Sequence, residues 1–536
     1  MEASATFMNI RRPSFDLANL LYKIIICAIF SYYFVANFKM SSSWDVVNLR
    51  SIDDVAVQQS IRRIQLAAIS GDWKIVFSFV DYAYGCIFWI INGILQFPFY
   101  FIGNAQLQII VGREISLIFV FSGIYLIGKI VDHINNALQF TGMKYEVLTV
   151  ISTMPIIGVI GTKAHVNAQS FFFSILSLFI IVRVSNLTGK NLATSALVAG
   201  IAIGMKATSI LILPISCLLI FGKLKEQKKF RIIKSQFGYV AFTQIVALIS
   251  TAPIIVFFPL YKDEIRRIVQ TFSMFINLGE VSTVSLSDRL FGGIGYFLSP
   301  IALAISMFGF VVLLFVELKN GVKIIFSIFV GLISAAIVVL AAVHKDAIYV
   351  GNYIISVAFL IPIGILALNK LGIQDTYKKC IAASLVVLMT LSGLANRNLI
   401  MQRYSFFKIS NSDEIQEKLT ARDEIDKLVS PIELPARVLM DYEAVFPLTN
   451  FTKGAEIRYL YGDLSNYQTG IWGIFDFISL NIRGYYNYLP ADDSKPLSPE
   501  QAIRDELLKK GTLKGIEYSK IYERGDEVVF KLKVKP

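Results

Sequence analysis

The chain has 536 residues, a net charge of +12 and 55% hydrophobic residues, but only 17% charged residues. Soluble proteins carry about 25% charged residues, so the composition excludes an ordinary soluble protein and indicates a polytopic membrane protein. The positive charge lies near the ends of apolar runs, where it reports on topology and does not indicate a nucleic-acid partner.

The first apolar run, 18–38, has no small-residue cleavage site after it, and we interpret it as a retained membrane span. The segment 39–85 then predicts a large first loop on the outer side. In this loop, apolar residues recur at helical spacing: Val57, Ile61, Ile64 and Ala68. We expect an amphipathic helix in the membrane interface, with Asp53 and Asp54 in its first turn. There the two carboxylates would face lipid-borne phosphates, or would only complement the helix dipole.

Further apolar runs are long enough to cross a bilayer. They lie at 84–102, 115–134, 237–259, 294–317, 323–342, 352–369 and 379–396, with shorter runs at 146–161 and 167–185. The apolar region 192–222 is interrupted by Lys206. Together these runs predict about 11–13 transmembrane helices.

Orientation follows from the basic loop 223–234, which the positive-inside rule places in the cytoplasm. Counting forward from this loop places the tail after residue 396 outside. Counting backward toward a cytoplasmic N-terminus leaves one span too many. Either 192–222 crosses once as a bent helix, or 84–113 holds two short helices around Pro98.

The last part of the chain, 397–536, differs from the transmembrane domain 1–396 because its charge rises and its apolar runs shorten. Residues 498–511 predict a capped helix, with Pro499 at its first position and Gly511 as its stop. Two strands joined by a turn at 524–526 follow. These patterns predict a small extracytoplasmic α/β domain.

Several polar residues lie at the predicted outer ends of spans: Asp81, Tyr82, Tyr84, Lys163, His165, Lys206, His344, Lys345 and Tyr349. A lysine inside an apolar stretch costs about 2.5–3.5 kcal/mol on insertion, which favours a cavity-facing Lys206 over a snorkelling one. Taken singly, the others are also typical of interfacial histidines, an aromatic belt or a helix cap. As a set, acids and cations would suit a site that deprotonates a hydroxyl and stabilises a departing phosphate.

Four motifs, in this order, resemble the GT-C glycosyltransferase superfamily, which includes protein O-mannosyltransferases and lipid A aminoarabinose transferases. They are SIDDVAV in the first loop, DYAYG before the next span, LVAGIAIGMKATSILILP around Lys206, and HKDAIYVGNYIISVAFLIP near His344. Met205 stands where the superfamily usually has Thr, and Asn352 where it usually has Arg.

The resemblance implies an inverting glycosyltransferase that moves a sugar from a polyprenyl-phosphate donor to a hydroxyl on a glycan, lipid or protein. It implies that Asp53 is the general base with Asp54 as its neighbour, and that Lys206 binds the donor phosphate with His344 or Lys345. The other polar residues, and Tyr353, would then contact substrate. Adjacent helical residues point about 100° apart, so one acid of the pair is expected to reach the acceptor.

The alternatives are a polysaccharide polymerase or ligase that uses a lipid-linked oligosaccharide, and a non-catalytic transporter, whose usual inverted repeats are not evident here. The cysteines lie in or beside apolar runs and the three histidines are far apart, so neither a disulfide framework nor a histidine metal cluster is indicated. No cofactor is indicated, and use of a divalent metal stays open. We expect a multi-pass protein of a bacterial inner membrane, with its site facing outward.

Overall fold

The computed structural model describes two parts of the chain, a helical bundle and a sheet domain. The described residues are 17–41, 52–79, 84–102, 105–138, 144–227, 232–253, 413–429, 436–441, 444–446, 456–459, 474–482 and 499–533, with isolated positions at 266 and 384–395. The predicted spans 294–317, 323–342 and 352–369 lie outside these residues, as does the predicted domain boundary after residue 396.

The described part of the bundle is built from twelve α-helices and one 3-10 turn. The helices are α1 Leu17–Ser41, α2 Ile52–Ile69, α3 Trp73–Ser78, α4 Cys86–Leu95, α5 Phe97–Tyr100, α6 Ala105–Leu138, α7 Lys144–Thr153, α8 Pro155–Gly161, α9 Val166–Arg183, α10 Gly189–Met205, α11 Ile212–Glu226 and α12 Ile232–Thr251, with the 3-10 turn Ala207–Leu211 before α11. Five segments of the described residues are long and apolar enough to cross a membrane: Asn19–Phe38, Leu107–His133, Val166–Arg183, Ala207–Lys225 and Ile232–Thr251.

Two opposite ends of the bundle can be told apart by their contacts. One end, called the site end, brings together Tyr84, His165 and Lys206. The other, called the basic end, holds Lys144 of α7 beside Asp132 of α6. Since α6, α9 and α11 run from the site end to the basic end, the chain returns through α7–α8 and α10.

The described residues of 84–113 bear on the count of crossings that the sequence left open. It holds two short helices, α4 and α5, on either side of a break at Gln96. Ten residues in α4 span about 15 Å, roughly half a hydrocarbon core. Region 192–222 instead divides at Lys206 into α10 and the segment that leads into α11. The two short helices match the second of the two alternatives, although the break lies at Gln96 and Pro98 lies inside α5.

The amphipathic helix predicted after the acidic pair is confirmed as α2. Its apolar residues Val57, Ile61 and Ile64 are buried in one cluster with Phe88 and Trp89 of α4. The apolar face of α2 thus packs on α4, and this packing fixes the position of the acidic pair.

Close packing of α10 on α12 depends on two glycines one helical turn apart. A Cβ at Gly200 would lie 2.5 Å from Cβ of Val246, and one at Gly204 would lie 2.4 Å from Cβ of Ser250. Small residues at this spacing let membrane helices approach closely. The contact holds the end of α10, and so Lys206, at the site end.

The C-terminal domain is confirmed as an α/β unit. Two helices, α13 Asp413–Val429 and α14 Pro499–Lys510, accompany six strands: β1 Arg437–Met440, β2 Glu456–Tyr459, β3 Phe477–Asn481, β4 Thr512–Leu513, β5 Ile516–Arg524 and β6 Glu527–Leu532. The strand order is β2-β1-β3-β6-β5-β4, and β1 lies parallel to both β2 and β3. The capped helix and the terminal hairpin that the sequence predicted are α14 and β5–β6.

Candidate functional site

The carboxylate of Asp54 is buried at the site end and fully engaged. Its Oδ2 accepts hydrogen bonds from Nε of Arg113 at 3.0 Å and from Nη2 at 2.6 Å. Its Oδ1 accepts the backbone N–H of Ala164 at 2.7 Å. Asp54 and Arg113 are 1% and 0% exposed. One carboxylate therefore ties α2 to α6 and to the loop between α8 and α9.

That loop places His165 against Tyr84. The Tyr84 hydroxyl and Nε2 of His165 form a hydrogen bond. The two rings meet edge to face with centroids 5.1 Å apart. The other ring nitrogen, Nδ1, accepts the backbone N–H of Asn167 at 3.4 Å, so His165 caps α9.

Lys206 directly follows the last residue of α10 and is buried, with 7% of its surface exposed. Its Nζ donates to the side-chain oxygen of Asn167. A buried ammonium needs such oxygen partners because its desolvation is costly. Burial at this level argues against snorkelling to solvent, and the cavity-facing orientation of Lys206 stays a prediction.

Two of the motifs that carried the resemblance meet here as backbone. The N–H of Gly85 donates to the carbonyl oxygen of Met205 at 3.2 Å. A Cβ at Gly85 would come within 1.8 Å of the Gly204 carbonyl oxygen, so only glycine allows this approach. The contact brings Tyr84 and Lys206 to the same end of the bundle.

Two lysines, Lys163 and Lys206, lie close enough to His165 to influence its ionisation. Burial lowers the pKa of His165 well below its ordinary value, and the charges of Lys206 and Lys163 lower it further. His165 is therefore neutral near pH 7 and can accept a hydrogen bond on one nitrogen while it donates from the other. Lysine ammonium groups around a neutral imidazole would suit an anionic ligand such as a phosphate ester.

Sequence reasoning missed several residues of this site. Arg113 lies just before the predicted span 115–134 and was not singled out, and Asn167, beside His165 between two short spans, was not placed among the candidate site residues. Gln58 and Gln96 are also buried, and their amide groups have no hydrogen-bond partner among the described residues. Both amides lie near Gly112, where a Cβ would be 3.3 Å from Nε2 of Gln96 and 3.7 Å from Oε1 of Gln58. Their polar character inside an apolar region was the only available clue.

The structure brings together part of the predicted set. Five predicted site residues have described side chains and lie together at the site end: Asp54, Tyr84, Lys163, His165 and Lys206. Asp53 lies in the first turn of α2. The rest lie outside the described residues: Asp81, Tyr82, His344, Lys345, Tyr349 and Tyr353. Within the described residues, no group of three His, Cys, Asp or Glu side chains could hold a metal ion.

No protein-family model matches this chain, and no curated protein matches it. The crystal structure of ArnT from Cupriavidus metallidurans bound to undecaprenyl phosphate aligns with a TM-score of 0.52 at 11% identity, covering 95% of this chain and 97% of that one. The structure of ArnT from the same organism in the apo state aligns with a TM-score of 0.43 at 12% identity, covering 88% and 92%. The first alignment shows a shared fold, and the GT-C-like fold expected from the sequence is confirmed.

Proposed function

We propose that this protein is a membrane glycosyltransferase that moves a sugar from a polyprenyl-phosphate donor to a hydroxyl acceptor. The observation that carries the proposal is the convergence of the acidic helix α2, the Tyr84–His165 pair and buried Lys206 at one end of a GT-C-like bundle. The undecaprenyl phosphate bound to ArnT, a protein of the same fold, supports a carrier of this class.

Lys206 binds the phosphate of the donor in this proposal, with His344 or Lys345 contributing from a later loop. Its ammonium is buried and held by Asn167 at the end of α10. In such a setting a charge–charge contact is stronger than in water. As the bond between the anomeric carbon and the phosphate oxygen breaks, the cation stabilises the departing polyprenyl phosphate.

Asp53 acts as the general base. Its neighbour Asp54 already accepts three hydrogen bonds, from Arg113 and Ala164, and is almost completely buried. Asp54 therefore positions the start of α2, while Asp53 takes the proton of the acceptor hydroxyl as its oxygen attacks the anomeric carbon. Attack opposite the leaving phosphate inverts that carbon, as the superfamily resemblance implies.

The site end faces the extracytoplasmic side in this proposal. The opposite end carries Lys144, Arg183 and Lys223 among its described residues, and cytoplasmic ends are rich in lysine and arginine. A lipid-linked donor fits this side, because nucleotide sugars are made and kept in the cytoplasm. The C-terminal domain is placed on the same side by the count of predicted spans after the basic loop.

The test is transfer from a labelled polyprenyl-phosphate sugar by the purified full chain. Asp53→Asn keeps the shape of the side chain and removes the base, so transfer should fall by about 10²–10⁴ while donor binding stays near normal. Asp72→Asn is the matched control, since Asp72 is an exposed acid that caps α3 in the same loop. Full activity of folded Asp53→Asn would contradict the proposed base.

A further inference from the structure

A groove on the membrane-spanning surface lies outside the site just described. It has a volume of about 420 Å³ and is formed by α1, α6 and α9. Aromatic side chains dominate its wall: Phe30, Phe121, Tyr125 and Phe172. Phe30 and Phe121 meet edge to face with ring centroids 5.0 Å apart. An apolar groove of this kind suits a hydrocarbon chain.

The groove and the site lie on different faces of α9. Phe172 lines the groove, whereas Asn167, five residues earlier, accepts the bond from Lys206. Five residues of an α-helix correspond to a rotation of about 140°. The occupant of the groove is therefore separate from a donor held at Lys206.

Two lysines, Lys23 and Lys129, lie at the end of the groove that is nearer the basic end. Nζ of Lys129 lies 5.4 Å from the ring centroid of Tyr125, one turn away on α6. On α1, Lys23 precedes Phe30 by seven residues, which places both on one face about 10 Å apart. Both lysines thus lie at the same end of the groove.

Among the described side chains near these lysines, the cations outnumber the acids. Nζ of Lys23 lies 4.9 Å from the ring centroid of Tyr145, and Nζ of Lys144 lies 5.5 Å from the same centroid. Of these cations, Lys144 is paired with Asp132 at 2.6 Å. This ion pair accounts for the ammonium of Lys144, and within the described part of the chain no carboxylate is paired with Lys23 or Lys129, so the two could hold an anion.

We propose that the groove binds one anionic phospholipid, with an acyl chain between α1, α6 and α9 and its phosphate beside Lys23 and Lys129. The lengths agree, because Lys129 to Ile118 on α6 spans about 16 Å and one leaflet of the hydrocarbon core is about 15 Å thick. Basic pockets between membrane helices commonly bind acidic headgroups in this way. The lipid comes from the leaflet at the basic end.

Native mass spectrometry of the full chain in detergent tests the proposal. Phosphatidylglycerol and phosphatidylcholine with identical acyl chains serve as probes, and we expect one phosphatidylglycerol to bind more tightly. Lys23→Gln with Lys129→Gln should weaken its binding about ten- to thirtyfold and leave phosphatidylcholine unchanged. Lys190→Gln with Lys234→Gln is the control, because it removes two exposed lysines that do not line the groove.

Three results would overturn the proposal: equal affinity for the two lipids, an equal loss in the control, or displacement of phosphatidylglycerol by an equal concentration of polyprenyl phosphate. If the double lysine variant does not fold, Ser122→Phe replaces it. Ser122 lines the groove, so a phenyl ring there should fill the space and abolish tight phosphatidylglycerol binding. Unchanged binding in folded Ser122→Phe would also overturn the proposal.

Discussion

Two buried aspartate–arginine pairs, one in each part of the protein, differ in how the carboxylate is used. In the C-terminal domain, Arg504 engages both oxygens of Asp441, with Nε at 2.7 Å from Oδ2 and Nη2 on Oδ1. In the bundle, Arg113 engages only Oδ2 of Asp54, and the other oxygen accepts the N–H of Ala164. The forked pair joins α14 to the end of β1, and its Oδ2 also accepts the backbone N–H of Asn481 in β3 at 3.4 Å. The split pair instead holds the loop that leads into α9.

The difference shows how the same chemical pair can serve stability alone or stability and position together. The loop that Asp54 holds also carries His165, which bonds to Tyr84. A change at the split pair should therefore reach the proposed donor site. A change at the forked pair should remain within the sheet domain.

The largest expected effect comes from removing one partner of either pair. Arg113→Met and Arg504→Met should each lower the free energy of unfolding by about 3–5 kcal/mol, because each leaves an aspartate buried without its cation. Denaturant unfolding of the purified protein would measure both losses.

Replacing both partners separates the two pairs. Asp441→Leu with Arg504→Met should recover stability and transfer, since apolar pairs of similar volume often replace buried ion pairs without loss. Asp54→Leu with Arg113→Met should recover stability but leave transfer about a hundredfold lower, because the loop that carries His165 is no longer held. Equal transfer by the two double variants would remove the distinction.

A smaller effect concerns Glu527, which lies in the polar cluster of the forked pair. Its Oε1 accepts Nδ2 of Asn481 at 2.7 Å, and its Oε2 accepts the N–H of Val445 at 2.9 Å. Burial raises the pKa of Glu527 to about 7, although these bonds and the charge of Lys418 oppose the rise. The folded state then binds the proton more tightly than the unfolded state. Stability from this group is full below pH about 4.5 and is lost as the pH rises through about 7.

Hydrogen exchange of the β3 and β6 amides, corrected for intrinsic rates, would measure this dependence. Protection should fall between pH 5 and pH 8, by up to about 3 kcal/mol of opening free energy if the domain opens as a unit. Glu527→Gln should flatten the dependence. Amides of α9, which belong to the bundle, should show no matching change, and a parallel change there would assign the titration to another group.

The smallest expected effect compares two tyrosine hydroxyls. Tyr84 bonds to His165 in the bundle, and Tyr522 donates to Oε2 of Glu424 at 2.9 Å in the domain. Each Tyr→Phe change should cost about 0.5–1.5 kcal/mol of stability. Only Tyr84→Phe should also weaken donor binding, because it alone touches the proposed site. A binding assay that finds the two variants alike would contradict that assignment.

Periodicity and hydropathy predicted the parts of the fold that depend on local sequence. They located α2 and α9 and the terminal hairpin, since each is set by residues a few positions apart. They overestimated 84–102 as a span, because composition cannot show that a break at Gln96 leaves α4 too short to cross. A run of apolar residues indicates burial, but it does not show whether lipid or other parts of the protein cover the residues.

The candidate site was predictable only where a residue was costly in its own surroundings. Lys206 was found because a cation in an apolar stretch is expensive. Its partner Asn167 is 39 residues away, and Arg113 is 59 residues from Asp54. Pairings at such separations are made by helix packing, which no local pattern encodes.

The close contact of α10 with α12 has a consequence for tracing the ancestry of this chain. Gly200 and Gly204 admit no side chain, and Lys206 follows two residues after the second glycine. A substitution at either glycine would force α10 and α12 to shift and would move the lysine, so all three positions are under steric constraint. The spacing Gly-x-x-x-Gly-x-Lys is therefore a signature by which remote relatives could be sought after overall similarity has eroded.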